Sequence, residues 1–383
     1  MDYQTKEDIC THLGDDYEKF MGAIVPPIFQ NSLFVQGADG GEYGDNPYIY
    51  TRVSNPTTDV AERKIAALEG GEMAKCFASG MAAITAAVMS VIEKDCHIIT
   101  IANVYGPTRT FFSSYLKKFG VSVSFVKGET VEAFEAAIQP NTKLIYLESP
   151  SSFVFRMQDL AGIAQLAKTK GITTVIDNTW ATPMYQNPLT FGIDLVVHTA
   201  SKYLGGHSDI VAGVVVGNAE RMEQIAKQER ELFGGIMDPH QSWLLTRGLR
   251  TLPVRLKAHG QSAMKVASFL EGHDKVKRVY YPGLQSHDQY ELVQQQIKGH
   301  TGLLSFIVDA DEEKILAFVK GLKMFQWGPS WGGFESLVVA PFLGRSDLEL
   351  EELCLPRGLV RIHVGLEHVD TLIADLQAGL ESL

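Results

Sequence analysis

From about residue 60 onward, short apolar runs alternate with segments whose apolar residues recur every three or four positions. The runs HIITI (97–101), VSVSFV (121–126), KLIYLE (143–148), TTVID (173–177), DLVVH (194–198) and GVVVG (213–217) read as strands. Each is rich in β-branched and aliphatic residues and bounded by polar or glycine residues, as suits a sheet covered on both faces. Between them lie helical patterns: TTDVAERKIAALEGG puts Val60, Ile65 and Leu68 on one face with glycines at its end, and DLAGIAQLAKTKG is a second. This alternation predicts an α/β architecture with a mostly parallel sheet.

Residues 1–59 lack this periodicity and read as an extended N-terminal arm, rich in Gly, Pro and Asn around QGADGGEYGDNPYIYTRVSNPTT. Residues 60–245 form the first α/β unit. Beyond SWLLTRGLRTL the pattern shifts to a long amphipathic segment, GLRTLPVRLKAHGQSAMKVASFLEG, and then to a second α/β region with strands LLSFIV and LVRIHV, so 246–383 reads as a smaller C-terminal domain. Ligands of open α/β sheets bind beyond the carboxyl ends of the strands. KLIYLESP, TTVIDNT and LVVHTASK all turn polar at that point, so three strands are expected to converge on one crevice.

Composition narrows the partners. The 383 residues are 45% hydrophobic and 21% charged, enough for a large core in two domains. A net charge of -11 gives no basic footprint for nucleic acid or an anionic membrane surface. Four scattered cysteines with no CxxC pair suggest neither a disulfide framework nor a zinc ribbon. With no basic, then apolar leader and no long uncharged apolar window, a cytoplasmic location is expected. His198 and His207 stand apart across a loop and no HExxH occurs, so no metal is expected.

The chemistry centres on DLVVHTASKYLGGHSDIVAGVVVG. A lone lysine at a turn is ordinarily a solvated cation. Lys202, however, lies between two buried-type strands with Thr199 and Ser201 beside it. Desolvation lowers a lysine's pKa toward the neutral amine that forms a Schiff base, and neighbouring hydroxyls can bind a phosphate. Pyridoxal 5'-phosphate accounts for both features.

That cofactor needs a carboxylate at its pyridine nitrogen to act as an electron sink. Asp177, ending TTVID, is the candidate, although it could instead cap the next segment. Its phosphate needs amides at a helix start. Ser79, Gly80 and Met81 precede the apolar helix in CFASGMAAITAAVMSVI, although Gly80 could equally serve close helix packing.

In order along the chain, PYIYTRVSNPT, ASGMAA, VYGPT, LESP, DNTWATP, HTASKYLGGHSD, SWGGFESL and RIHVGLEHVDTLIADL resemble the Cys/Met metabolism family of pyridoxal-phosphate enzymes, the transsulfuration group. The resemblance implies fold type I, like aspartate aminotransferase, with a mostly parallel sheet domain and a smaller C-terminal α/β domain. It also implies a Schiff-base role for Lys202, which would move the substrate Cα proton, and the pyridinium partnership of Asp177. Tyr105 would stack on the cofactor ring, and Ser79, Gly80, Met81, Thr199 and Ser201 would lie on or beside the phosphate cup. Tyr50 and Arg52 would reach the phosphate of a neighbouring subunit, in a homotetramer of two catalytic dimers. Arg361 would grip the substrate α-carboxylate, as a guanidinium can by a bidentate pair, or else be satisfied by Glu367. Ser336 would lie near that carboxylate.

Within the family, SWGG with Trp331, Pro329 before Ser330 where γ-acting members carry a glutamate, and VYGPTRTF favour a cystathionine β-lyase activity. YIYTRVSNPTT points toward γ-synthases and γ-lyases, whereas Ser152 and Phe153 depart from an asparagine and proline common after ESP, a departure that weakens a γ-type activity more than a β-type one. The alternatives are therefore a cystathionine γ-lyase, cystathionine γ-synthase or methionine γ-lyase activity. Outside the group stand an aminotransferase and a silent cofactor-binding protein.

Overall fold

The computed structural model describes residues 3–37 and 46–383. Its larger sheet contains β1 (Met73–Phe77), β2 (His97–Ile101), β3 (Ser122–Val126), β4 (Thr142–Glu148), β5 (Thr173–Asp177), β6 (Leu195–His198) and β7 (Gly213–Gly217). They lie in the order β1-β7-β6-β5-β4-β2-β3. The run from β6 to β3 is parallel, whereas β7 is antiparallel to both β6 and β1. All residues of β2, β6 and β7 are buried, as sheets covered on both faces require.

The expected strands all form, each shifted by no more than one residue at an end. MAKCF was not expected as one: Lys75 interrupts its apolar run, and the structure offsets that charge with Glu62 at 2.8 Å. The helix Pro56–Glu69 starts earlier than its apolar stripe suggests, because Asn55 caps it by accepting from the Thr57 amide and Pro56 supplies a first-turn φ.

The second sheet joins β8 (Val276–Tyr280), β9 (Leu303–Val308), β10 (Gln326–Trp327), β11 (Leu337–Val339) and β12 (Leu359–His363) in the order β10-β11-β12-β9-β8. The two sheets build separate hydrophobic cores, and the helix Leu252–Glu271 contributes to both. Leu252 and Leu256 pack in the first core, and Ala263, Val266, Ala267 and Leu270 in the second. This continuous helix fixes the second sheet's loops over the first sheet's strand ends.

The N-terminal segment is not wholly extended. Lys6–His12 is a helix capped by Thr5, and the buried Lys64 amine donates to the carbonyls of Ile9 and Cys10 near its end. Residues 24–37 and 46–53 carry no helix, with Leu33 bridged to Tyr50, and 38–45 of the expected arm lie outside the described residues. No described helix is long and apolar enough to cross a membrane.

Candidate active site

Neighbouring strands β4, β5 and β6 end side by side. Glu148 and Asp177 are paired in register at the last positions of β4 and β5, and Thr199, Ser201 and Lys202 follow β6. A cavity of about 940 Å³ opens over these ends and is closed from the second domain by Pro329, Ser330, Trp331, Glu335 and Arg361. One close contact between the two halves falls at a glycine. Gly332 has φ +83, and a Cβ there would meet the Tyr203 amide nitrogen at 2.7 Å and Lys202 Cα at 3.0 Å. Only a residue without a side chain lets this loop press on the lysine loop.

Lys202 is half-buried, and its Nζ donates to Ser330 Oγ at 2.6 Å and lies 5.5 Å from the centre of a Trp331 ring. Burial, followed by the nearby Arg361 charge, pulls its pKa down to about 8, against the opposing pull of Glu335 and Asp177. Asp177 is buried and its pKa is raised by desolvation; Oδ1 takes both the amide and the hydroxyl of Thr179. Among the described residues no donor reaches Oδ2. Arg361 is buried without a carboxylate partner among the described residues, donating to the Pro329 carbonyl at 2.7 Å and lying over Phe153. Burial lowers its pKa to about 10. Glu367 bonds the amide and hydroxyl of Ser336 instead, which removes the expectation that it satisfies Arg361.

Ser79, Gly80, Met81, Tyr105 and Thr199 also line the cavity. Ser79 caps the helix Gly80–Met89 by accepting from the Ala82 amide, leaving the Gly80 and Met81 amides without intrahelical acceptors. Thr199 explains Gly80 sterically, since a Cβ at Gly80 would fall 2.2 Å from its Oγ1. Tyr105 stands at the start of the helix Gly106–Thr110, and desolvation, then the Asp177 and Glu148 charges, raise its pKa. Ser201 reaches the cavity, but its hydroxyl is taken up by Ala212, accepting from the amide at 2.8 Å and donating to the carbonyl at 3.2 Å.

Three expected positions lie elsewhere. Ser336 does not line the cavity; its hydroxyl is held between Glu367 and the Gly365 amide. Tyr50 and Arg52 line a separate cavity of about 520 Å³ with Gly234, Ile236 and Asp238. His198 packs at the end of β6, 2.6 Å from Glu69.

Glu148 is the residue that sequence reasoning missed. It is buried beside Asp177, accepts from the Tyr105 amide at 2.8 Å and from Ser152 Oγ, and desolvation together with the Asp177 charge pushes its pKa up to about 8. The only sequence signal was an acid closing an otherwise apolar strand. Among the described residues no cluster of acids, histidines and cysteines could hold a metal ion.

A buried acid with an unpartnered oxygen, a depressed lysine amine, and free amides at a helix start beside a threonine meet the three demands of pyridoxal 5'-phosphate: ring nitrogen, aldehyde and phosphate. The sequence profile of the family described as Cys/Met metabolism PLP-dependent enzyme matches residues 7–381. A cystathionine gamma-lyase of Bacillus subtilis is 39% identical over 382 residues, covering 99% of this chain and 100% of that protein. A cystathionine beta-lyase of Lactococcus lactis is 38% identical over 374 residues, 97% of each chain. The crystal structure of a cystathionine gamma synthase from Xanthomonas oryzae, in complex with aminoacrylate and cysteine, superposes with a TM-score of 0.94 at 34% identity, covering 99% of this chain and 98% of that one. With Lys202, Asp177, Gly80, Met81 and Thr199 lining one cavity of this fold and the family profile matching residues 7–381, the chain belongs to the Cys/Met metabolism family of PLP-dependent enzymes.

Proposed function

We propose that the chain is a carbon–sulfur lyase that cleaves L-cystathionine at its β-carbon, giving homocysteine, pyruvate and ammonia. The observation that carries this reading is the segment Pro329–Ser330–Trp331, which sets an indole and a hydroxyl against the Lys202 amine and places no acidic side chain at position 329. β-Elimination asks for one proton removal, from Cα, whereas γ-chemistry asks for a second at Cβ.

Pyridoxal 5'-phosphate, when bound, withdraws the electron pair left at the substrate Cα as its proton departs. Asp177 would hold the ring nitrogen, the Gly80 and Met81 amides with Thr199 the phosphate, and Tyr105 would cover the ring. Arg361, buried without a counter-ion among the described residues, would bind the substrate α-carboxylate through its remaining N–H groups. Lys202 Nζ takes the proton from Cα, and homocysteine leaves as a thiolate when the Cβ–S bond breaks. Hydrolysis of the three-carbon fragment gives pyruvate and ammonia. Tyr50 and Arg52 of a second copy would complete the phosphate site, within a homotetramer of two catalytic dimers.

The competing reading is γ-elimination, favoured by the Bacillus subtilis relative named a cystathionine gamma-lyase. Keto-acid analysis of the holoenzyme acting on cystathionine separates the two. Pyruvate equimolar with homocysteine is expected, and 2-oxobutyrate with cysteine would overturn the β-lyase reading.

A further inference from the structure

The cavity holds two guanidinium groups at different depths. Arg361 is buried where the second domain closes the cavity, whereas Arg345 lines the same cavity from an exposed position in the turn after β11. That turn is closed by backbone bonds from Leu343 to Ala340 and from Arg345 to Phe342. Arg345 Nε donates to the Pro341 carbonyl at 2.9 Å, which ties the side chain to its own turn. Its two terminal nitrogens have no acceptor, and the guanidinium no acid within ion-pair distance, among the described residues. The fork is therefore held at the mouth with its bidentate edge uncommitted.

We propose that Arg345 binds the far carboxylate of a thioether substrate carrying an amino-acid group at both ends, and so sets a preference for such diacids over sulfur amino acids with one carboxylate. This rests on the carbon–sulfur lyase reading above. The cavity has the volume for it: about 940 Å³ lies at the upper end of small-ligand sites, which run from about 300 to 1,000 Å³. The charges match as well. A substrate with one carboxylate uses Arg361 alone, while cystathionine brings a second carboxylate that a lysine point charge would hold less specifically than a planar fork. Cleavage beside Lys202 would hold the near amino-acid end against Arg361, so the far end would extend toward the mouth, where Arg345 supplies the cation.

The test compares L-cystathionine with S-methyl-L-cysteine on holoenzyme carrying Arg345→Met, which keeps an apolar stem, and Arg345→Lys, which keeps the charge. For Arg345→Met the ratio of kcat/KM for cystathionine over S-methyl-L-cysteine falls roughly tenfold, a factor worth about 1.4 kcal/mol, with the loss in KM and kcat nearly held. Arg345→Lys recovers part of it. A ratio unchanged in Arg345→Met, or an equal loss on both substrates, overturns the proposal while leaving the lyase reading intact. A parent enzyme inert toward both substrates overturns the lyase reading and the proposal with it.

Discussion

Glu148 and Asp177 sit at paired positions on adjacent strands, and a buried pair of acids cannot both ionise cheaply. Asp177 was legible in the sequence because it ends a run of apolar residues in TTVID and opens a polar turn. Glu148 ends its strand in the same way, yet nothing in KLIYLESP says that its carboxyl turns back to hold the Tyr105 amide, since that contact links two loops distant in the chain. The folded state keeps the Glu148 proton to about pH 8, whereas the unfolded chain releases it near 4.5. Its contribution to stability is therefore full below the lower value and lost as pH rises through the upper one. Glu148→Gln lacks that loss, and its amide can reproduce both hydrogen bonds, the Ser152 hydroxyl rotating to accept. In cofactor-stripped protein, thermal melts should show the variant gaining on the parent as pH rises between those two values. A difference in Tm independent of pH would show that Glu148 is ionised throughout. Asp177, whose own pKa is raised, leaves a residual slope in both proteins.

Elements with an unbroken apolar run were readable; those whose polar residues find partners only in three dimensions were not. In β8, Lys277 and Arg278 are exposed, so VKRVY reads as polar although it forms an edge strand. The helix Lys6–His12 has only Cys10 buried and depends on Lys64, far along the chain, to donate to its Ile9 and Cys10 carbonyls. The loop after β10 shows the same limit at the site. SWGG marks itself as unusual, but its reason is contact with the lysine loop: the Gly332 amide donates to His363 Nε2 at 3.1 Å, and its Cα leaves no room for a side chain above Lys202. Gly332→Ala forces a methyl group into that backbone at a φ that L residues rarely adopt. The loop must lift, carrying Ser330 and Trp331 away from the amine. Displacements on the order of 1 Å near reacting groups cost about 10²-fold in rate, so kcat should fall by roughly that factor. Circular dichroism and the melting profile should stay close to the parent, because the loop lies at the junction of the two cores and not within either. Full activity in this variant would disconnect the loop from catalysis.

At the scale of the whole molecule, a single chain gathers Lys202, Asp177 and Arg361 in one cavity but leaves Tyr50 and Arg52 at a different one. Sequence pattern could not have shown this, because a segment without periodicity gives no signal of which cavity its side chains line; only the resemblance of YIYTR singled these residues out. Among the described residues the Arg52 side chain makes a single long hydrogen bond, 3.5 Å to the Glu231 carbonyl, and lies over the Tyr50 ring, so its charge has no acidic partner there. The surrounding segment exposes Met21, Ile24, Leu33 and Val35, each more than half accessible, an apolar display of the kind interaction surfaces carry. A shared site makes a prediction that a self-contained site cannot. Lys202→Ala should lose the yellow cofactor absorbance and nearly all elimination activity, and Arg52→Ala should retain cofactor poorly. In a hybrid dimer, the intact lysine of one chain faces the intact arginine of the other, so one site is whole and the second carries both defects. Random assembly makes half the dimers hybrid, and co-expressed variants should recover roughly a quarter of parental activity. If Arg52 served its own chain, every site in the mixture would carry one defect, and the activity would equal the average of the two separate variants.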